Sequence, residues 1–296
     1  MTGAGLGSGP VAAWRLAARL RTLPLAAAPV LVGAACAWRD EAFAAGLTAA
    51  ALCGALLLQI GANFANDAFD HERGSDGPER LGPARAAQLG LLSPRTLKRG
   101  TAAAFAGASL AGLYLTAAAG WPVAVIGALG MIAAVTYVGP GAYGYRGGGE
   151  LAVFVLFGFA AVAGTYWVQA RAVSWVALAA AWPLACLASA VLVVNNVRDL
   201  EADLRSGKRT LAVRLGPGGA RTEYAAFVAA AYLALPILAL QTGSAWVLLP
   251  LWTMPEAMAL VARVRGSVGA SLNPILVRTV RLELGFALSL CVGLLA

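Results

Sequence analysis

Residues 175–195 read WVALAAAWPLACLASAVLVVN, and residues 196–203 continue as NVRDLEAD. No charge occurs in this stretch before Arg198. A helix of that length crosses roughly 30 Å of hydrocarbon. Its C-terminal end then delivers Asn195, Asn196, Arg198, Asp199 and Asp203 to one membrane surface.

The composition shows that this span is not isolated. Of 296 residues, 60% are hydrophobic and 12% charged, with a mean hydropathy of +0.74. A soluble domain carries about 25% charged residues, so the charges here are too few to coat a globule in water. The missing solvent is lipid. Nine apolar stretches are long enough to serve as spans, at approximately 22–39, 43–65, 100–119, 121–138, 151–170, 175–195, 222–241, 245–262 and 279–296. Gly120-Trp121-Pro122 separates the third from the fourth. Pro183, Pro236, Pro250 and Pro255 are kinks or edges that a packed bundle tolerates. The expected fold is an all-α, multispanning bundle of nine transmembrane helices forming one domain over residues 1–296. Its two polar loops cover about 66–99 and 196–221.

Charge placement sets the expected orientation. With the N-terminus inside, 20 of the 22 Lys and Arg fall on the inner side and only Arg39 and Arg171 outside. A missed or invented span would flip every later loop and destroy that asymmetry. The net charge of +8 therefore reads as a topology signal and not as a nucleic-acid footprint. The first ten residues, MTGAGLGSGP, carry no basic region of a cleavable signal. Cys36, Cys53, Cys186 and Cys291 lie inside apolar runs with no metal-type spacing, so buried small side chains are expected.

Eight of the fourteen acids fall in two short stretches at the inner mouth. The first runs Asn63-F-A-Asn66-Asp67-A-F-Asp70-His71-E-R-Gly74-S-Asp76 and on to Arg80-L-G-P-A-Arg85. The second runs from Asn195 through Arg198, Asp199 and Asp203 to Lys208 and Arg209. Asn66 and Asp70, Asn195 and Asp199, and Asp199 and Asp203 are each four apart, one face of a helix. Both Asn-Asp pairs repeat at a separation of 129 residues. Carboxylates at helix C-termini face the unfavourable end of the dipole and repel each other, so a cation should compensate them. Hard oxygen donors suit Mg²⁺, which takes its remaining ligands from water and substrate phosphates. Arg80, Arg85, Arg198, Lys208 and Arg209 suit a diphosphate anion. Asp67, Glu72, Glu79 and Glu201 read as ordinary loop charges, Asp70, Asp199 and Asp203 as functional ones. Asp76 is intermediate because Gly74 breaks the helical register before it. The lone His71 reads as a solvated loop residue.

At these residues the chain resembles the UbiA-type intramembrane prenyltransferases, and within them the branch that prenylates 1,4-dihydroxy-2-naphthoate in menaquinone biosynthesis. The resemblance spans essentially the whole chain. It is carried by R19-L-R21-T22-L-P24, by N66-D-A-F-D70 through D76 to R80-L-G-P, and by N195-N-V-R-D199-L-E-A-D203 to G207-K-R-T-L-A-V-R-L-G216. Many members place an Asp where this chain has Gly74, with Asp76 two residues on. That spacing fits the naphthoate branch and counts against the hydroxybenzoate branch. Another aromatic acceptor, such as hydroxybenzoate or homogentisate, is the alternative.

The resemblance implies a polyprenyl diphosphate donor, a dihydroxynaphthoate acceptor, loss of CO₂ and diphosphate, and a demethylmenaquinone product. It implies two Mg²⁺ ions on Asn66, Asp70, Asp76, Asn195, Asn196, Asp199 and Asp203. Asp70, Asp199, Asp203 and Lys208 are then the catalytic group. Arg21, Asn63, Arg80, Arg85, Tyr137, Tyr143, Arg146, Arg198, Lys208 and Arg209 are the expected substrate contacts, with Tyr145 a further ring on the same side. The location implied is the cell membrane, with the mouth cytoplasmic. A secondary transporter, the rival class, places acids near the midplane. Here the acids cluster at the inner ends of spans and the midplanes are nearly free of charge; Glu256 and Glu283 are the exceptions, and Glu283 is expected to pair with Arg281 or Arg278 near the membrane surface.

Overall fold

A computed structural model describes residues 9–75 and 80–296. It contains helices and no strand among the described residues. In chain order they are α1 (Pro10–Ala18), α2 (Pro24–Arg39), α3 (Ala45–Glu72), α4 (Pro94–Ala119), α5 (Trp121–Thr136), α6 (Gly149–Val153), α7 (Ala161–Ala170), α8 (Trp175–Arg205), α9 (Leu211–Thr242), α10 (Met254–Gly266) and α11 (Leu272–Leu295). A π-helical segment, Phe154–Ala160, joins α6 to α7, and a 3₁₀ segment, Ala245–Thr253, leads into α10.

Local chemistry sets many of these boundaries. Pro10, Pro24 and Pro94 begin α1, α2 and α4, where a missing N–H costs nothing. Ser93, Ser174 and Thr210 precede α4, α8 and α9, and each side-chain oxygen accepts an amide three residues on.

Helix occupies all nine expected stretches, but length and composition qualify fewer as spans. Among the described residues, six are long and apolar enough to cross a membrane: α3, α4, Gly149–Ala170, α8, α9 and Ala245–Gly266. Pro10–Thr22 and Pro24–Arg39, bent by 50° at their break, make a seventh if taken as one. Helix α5 has 16 residues, and α11 carries Arg278, Arg281 and Glu283 within its apolar run.

Helix α8 is the central post. Of its apolar stretch 72% is buried inside the bundle, against 11% to 28% for the other five candidate spans. Ala177, Ala180, Ala181, Ala185 and Ala188 are all buried, and such small side chains let neighbouring backbones approach. Gly158 of the π segment uses that space, since a methyl there would overlap Ala185. Helices α2, α7, α9 and α11 pack around α8, while α3, α4 and α5 form a second wall. A cavity lies between the two groups.

The outer surface is apolar. Leu110, Leu129, Ile132, Leu233 and Leu240 are exposed, and α5 has no buried residue. Trp38, Trp121, Trp175 and Trp246 are exposed at the helix ends that also carry Arg39 and Arg171, the aromatic belt of a membrane interface. Two expectations need correction. Cys53 is exposed on α3, whereas Cys36 and Cys186 are buried, Cys291 is half-buried and all four are free. Arg278 forms a two-point ion pair with Glu256, at 2.7 and 2.5 Å. Glu283 instead is buried, with neither carboxylate oxygen partnered.

Candidate active site

The cavity encloses about 710 Å³, and its polar end lies at the C-terminal ends of α3 and α8. Asn66 and Asp70 come from α3, and Asn195, Asn196, Asp199 and Asp203 from α8; all six line it. The fourfold spacing places them on the inward face of each helix, as a 3.6-residue turn requires.

On the first helix, Asp70 is 5% exposed and pairs with Arg85, Nη1 to Oδ2, at 2.5 Å. The same Nη1 donates to the Asn66 carbonyl at 2.8 Å. Arg85 reaches this position because Asp67 accepts the Ala86 and Ala87 amides at 3.1 and 3.3 Å, holding the 85–90 turn against α3. Asp67 is thus structural. Glu72 pairs with Lys98 on the exposed surface at 2.8 Å, and His71 is exposed. Asn63 donates to the Ala18 carbonyl at 3.0 Å and ties the α1–α2 break to α3. Asp76 lies outside the described residues.

On the second helix, Asp199 is gripped by Arg198 at 2.8 and 2.5 Å. Arg198 also donates to Asn195 Oδ1 at 2.8 Å and to Asn273 Oδ1 at 3.1 Å. Asn273 donates in turn to the Leu81 carbonyl at 2.8 Å, latching the Arg80–Pro83 loop to α11. The sequence motif predicts Arg198 as a substrate contact, and the structure corrects this. Arg198 is 3% exposed and absent from the cavity wall, because its donors are engaged by the protein's own carboxylate and amides. Asp203 pairs with Lys208 at 3.4 Å. Asn196 donates to Glu150 Oε1 at 2.7 Å.

Tyr145 joins the two halves. Its hydroxyl donates to Asp70 Oδ1, and Lys208 Nζ sits 4.2 Å from its ring centroid. Its carbonyl accepts the Arg209 amide at 2.7 Å, locking the Tyr143–Arg146 turn to the loop after α8. Burial, then the Asp70 carboxylate, push the Tyr145 phenol well above its ordinary range, so it remains a donor. Burial pushes the Tyr143 phenol up to about 12. Tyr137 and Tyr143 both line the cavity and meet edge to face at 5.5 Å.

Below this polar end the wall is apolar. It continues through Pro29, Val30, Leu58, Leu113, Ile126 and Phe157. A model of the UbiA prenyltransferase family matches residues 26–271. The chain belongs to the UbiA prenyltransferase family. It is 42% identical over 268 residues to the 1,4-dihydroxy-2-naphthoate octaprenyltransferase of Mycobacterium tuberculosis, covering 90% of each chain. It is 37% identical over 278 residues to the enzyme of the same name from Escherichia coli, covering 91% of this chain and 90% of that one. Its fold is similar to that of a UbiA homologue from Archaeoglobus fulgidus bound to GPP and Mg²⁺, with a TM-score of 0.64 and 14% identity. That match covers 94% of this chain and 99% of the other.

In this UbiA prenyltransferase the donor set fits a hard divalent cation. Asn66 Oδ1 is buried with no partner, beside Asp70 at the cavity wall. Among the described residues, no three His, Cys, Asp or Glu side chains converge closely enough to enclose an ion by themselves. Amide, diphosphate and water oxygens must therefore complete any coordination sphere, as Mg²⁺ prefers.

The basic residues of this UbiA prenyltransferase divide by position. Arg80, Arg85 and Lys208 line the cavity. Arg21, Arg146 and Arg209 are exposed and do not. Arg19 does, with its Nη2 buried and unpartnered, whereas the sequence motif names only Arg21 as a substrate contact. Arg19 has φ 50°, a left-handed turn between α1 and Leu20–Thr22 that sends it inward while Arg21 points out. The R-L-R pattern carried no signal for that choice.

Proposed function

We propose that this UbiA enzyme transfers a polyprenyl group from a polyprenyl diphosphate to 1,4-dihydroxy-2-naphthoate, releasing CO₂ and diphosphate and giving a demethylmenaquinone in its reduced, hydroquinone form. The observation that carries prenyl transfer is the pairing of two Asn-Asp faces and a basic rim with one apolar chamber. The naphthoate acceptor rests on the named activity of relatives up to 42% identical over most of the chain.

Arg19, Arg80, Arg85 and Lys208 receive the diphosphate oxygens. Their attraction strengthens as the C–O bond breaks and negative charge gathers on the leaving group, so it lowers the barrier and not only the ground state. Asn66, Asp70, Asn195, Asn196, Asp199 and Asp203, with Asp76, would hold two Mg²⁺ ions, which when bound supply Lewis-acid neutralisation of the diphosphate. The allylic cation left behind is shielded from water by the apolar wall, and the Tyr137 and Tyr143 rings face its charge. The ring carbon bearing the carboxylate attacks the cation and forms the new C–C bond. CO₂ then departs and leaves its bonding pair to the ring, which becomes aromatic again without a dedicated base.

The membrane arrangement proposed has nine spans in the cell membrane, with the N-terminus and the polar mouth cytoplasmic. A cysteine placed at Arg146 should react with a membrane-impermeant thiol reagent only from the cytoplasmic side, and one at Arg171 only from the opposite side. The reaction is tested by incubating purified protein with Mg²⁺, a polyprenyl diphosphate and dihydroxynaphthoate, following prenylated naphthalene and CO₂ by mass spectrometry. Turnover of hydroxybenzoate or homogentisate, with none of the naphthoate, sinks the assignment.

A further inference from the structure

Glu150 has no part in the chemistry above, yet it is 3% exposed and stands directly behind the cavity wall. The run Gly147-Gly148-Gly149 brings it there. Gly147 takes φ 82°, and a Cβ on Gly149 would lie 3.1 Å from Leu192 of α8 and 3.3 Å from the Tyr137 ring. The α6 backbone is thereby pressed against α8, where Ser189 donates to the Glu150 carbonyl at 3.3 Å. Two turns further along α8, Asn196 donates its Nδ2 to Glu150 Oε1 at 2.7 Å.

That hydrogen bond has a directional consequence. A carboxylate only accepts, so it must face the NH₂ edge of the amide, and the oxygen edge is left for the cavity that Asn196 lines. Glu150 Oε2, in contrast, is buried with no partner. A buried carboxylate that makes one side-chain hydrogen bond costs more in desolvation than a glutamine or a leucine would. Packing alone does not account for an acid at this position.

We propose that Glu150 is a positioning residue that locks the Asn196 amide with its oxygen toward the divalent cation, a reading that rests on the metal site proposed above. A freely turning amide would offer its NH₂ to the cation half the time and repel it. Outer residues that orient a ligand commonly change metal affinity by about 10- to 100-fold.

The test is Mn²⁺ titrated into detergent-purified full-length protein saturated with an unreactive thiolodiphosphate analogue of the donor, with free Mn²⁺ read by electron paramagnetic resonance. Glu150→Gln keeps the shape but adds a donor, so the amide can turn over; Mn²⁺ affinity should fall by about 10-fold or more at an unchanged melting temperature. Glu150→Ala should give the same loss and serves if the glutamine variant does not fold. In an Asn196→Asp background both edges are oxygens, and Glu150→Gln should then cost less than about twofold, a non-additivity that general destabilisation does not produce. Affinity within twofold of wild type in Glu150→Gln, or an equal loss in both backgrounds, overturns the proposal. Asp203→Asn is the control for the site: if it lowers affinity while Glu150→Gln does not, only the positioning role fails. If neither does, the metal site and the positioning role fail together.

Discussion

Replacing Tyr145 by phenylalanine removes one hydroxyl from the place where the two motifs meet. That hydroxyl donates to Asp70 and lies 3.2 Å from Ser75 Oγ. The ring stays, with Lys208 Nζ 4.2 Å and Arg73 5.4 Å from its centroid. A hydrogen bond to a charged group contributes about 1.5–3 kcal/mol, so kcat/KM for the donor should fall by roughly 10- to 150-fold. Tyr145→Leu also removes the face beneath Lys208, a cation–π contact of about 0.5–2 kcal/mol, for a further loss of roughly 2- to 30-fold. The pH dependence follows from the raised phenol pKa. The hydroxyl is protonated in both folded and unfolded chains below the ordinary phenol range, so the wild-type to Tyr145→Phe ratio should stay flat from about pH 6 to 9. The assay is steady-state turnover with saturating naphthoate and varied donor, with melting temperatures measured alongside. A Tyr145→Phe variant within threefold of wild type would refute the coupling of Asp70 to this ring. Equal rates for Phe and Leu would remove the lysine contact.

Other perturbations separate structure from chemistry. Asp67→Ala leaves the buried Ala86 and Ala87 amides without acceptors, at about 1–3 kcal/mol each; a lowered melting temperature is expected, and an unchanged one would contradict the assigned role. Gly158→Ala forces a methyl into Ala185 and should destabilise by about 1–3 kcal/mol. Ala185→Gly in the same chain should recover part of that loss, and no recovery would show that the contact is not the cause. Arg19→Met should raise KM for the diphosphate donor about tenfold or more, on the scale of one lost charge-assisted hydrogen bond. Arg146→Gln should leave KM unchanged; the opposite ranking would mean that the cavity wall has been assigned wrongly.

Much of this was legible in the linear chain. Scarcity of charge required lipid, and a 20-residue apolar run can satisfy its backbone there only as a helix. The Asn66–Asp70 and Asn195–Asp199–Asp203 spacings put those side chains on single helical faces, and both faces open on one cavity. Asp67, by contrast, differs from Asp70 only in register, and register against the 85–90 turn depends on how that turn folds back.

Which cation reaches the cavity was decided by tertiary structure alone. Composition records that Arg19, Arg21, Arg146, Arg198 and Arg209 are basic, not where each guanidinium ends up. A left-handed turn admits Arg19 and excludes Arg21, while Arg198 is consumed by Asp199, Asn195 and Asn273. Tyr145 lies in the glycine-rich stretch after α5 and Glu150 in the first turn of the five-residue α6, both too short to show a helical period, and they reach Asp70 and Asn196 across 75 and 46 residues. Hydrophobic periodicity is a property of neighbours along the chain, so it specifies helices and their faces. Polar pairing in a buried mouth is a property of neighbours in space, and only the packed bundle brings those groups within hydrogen-bonding reach.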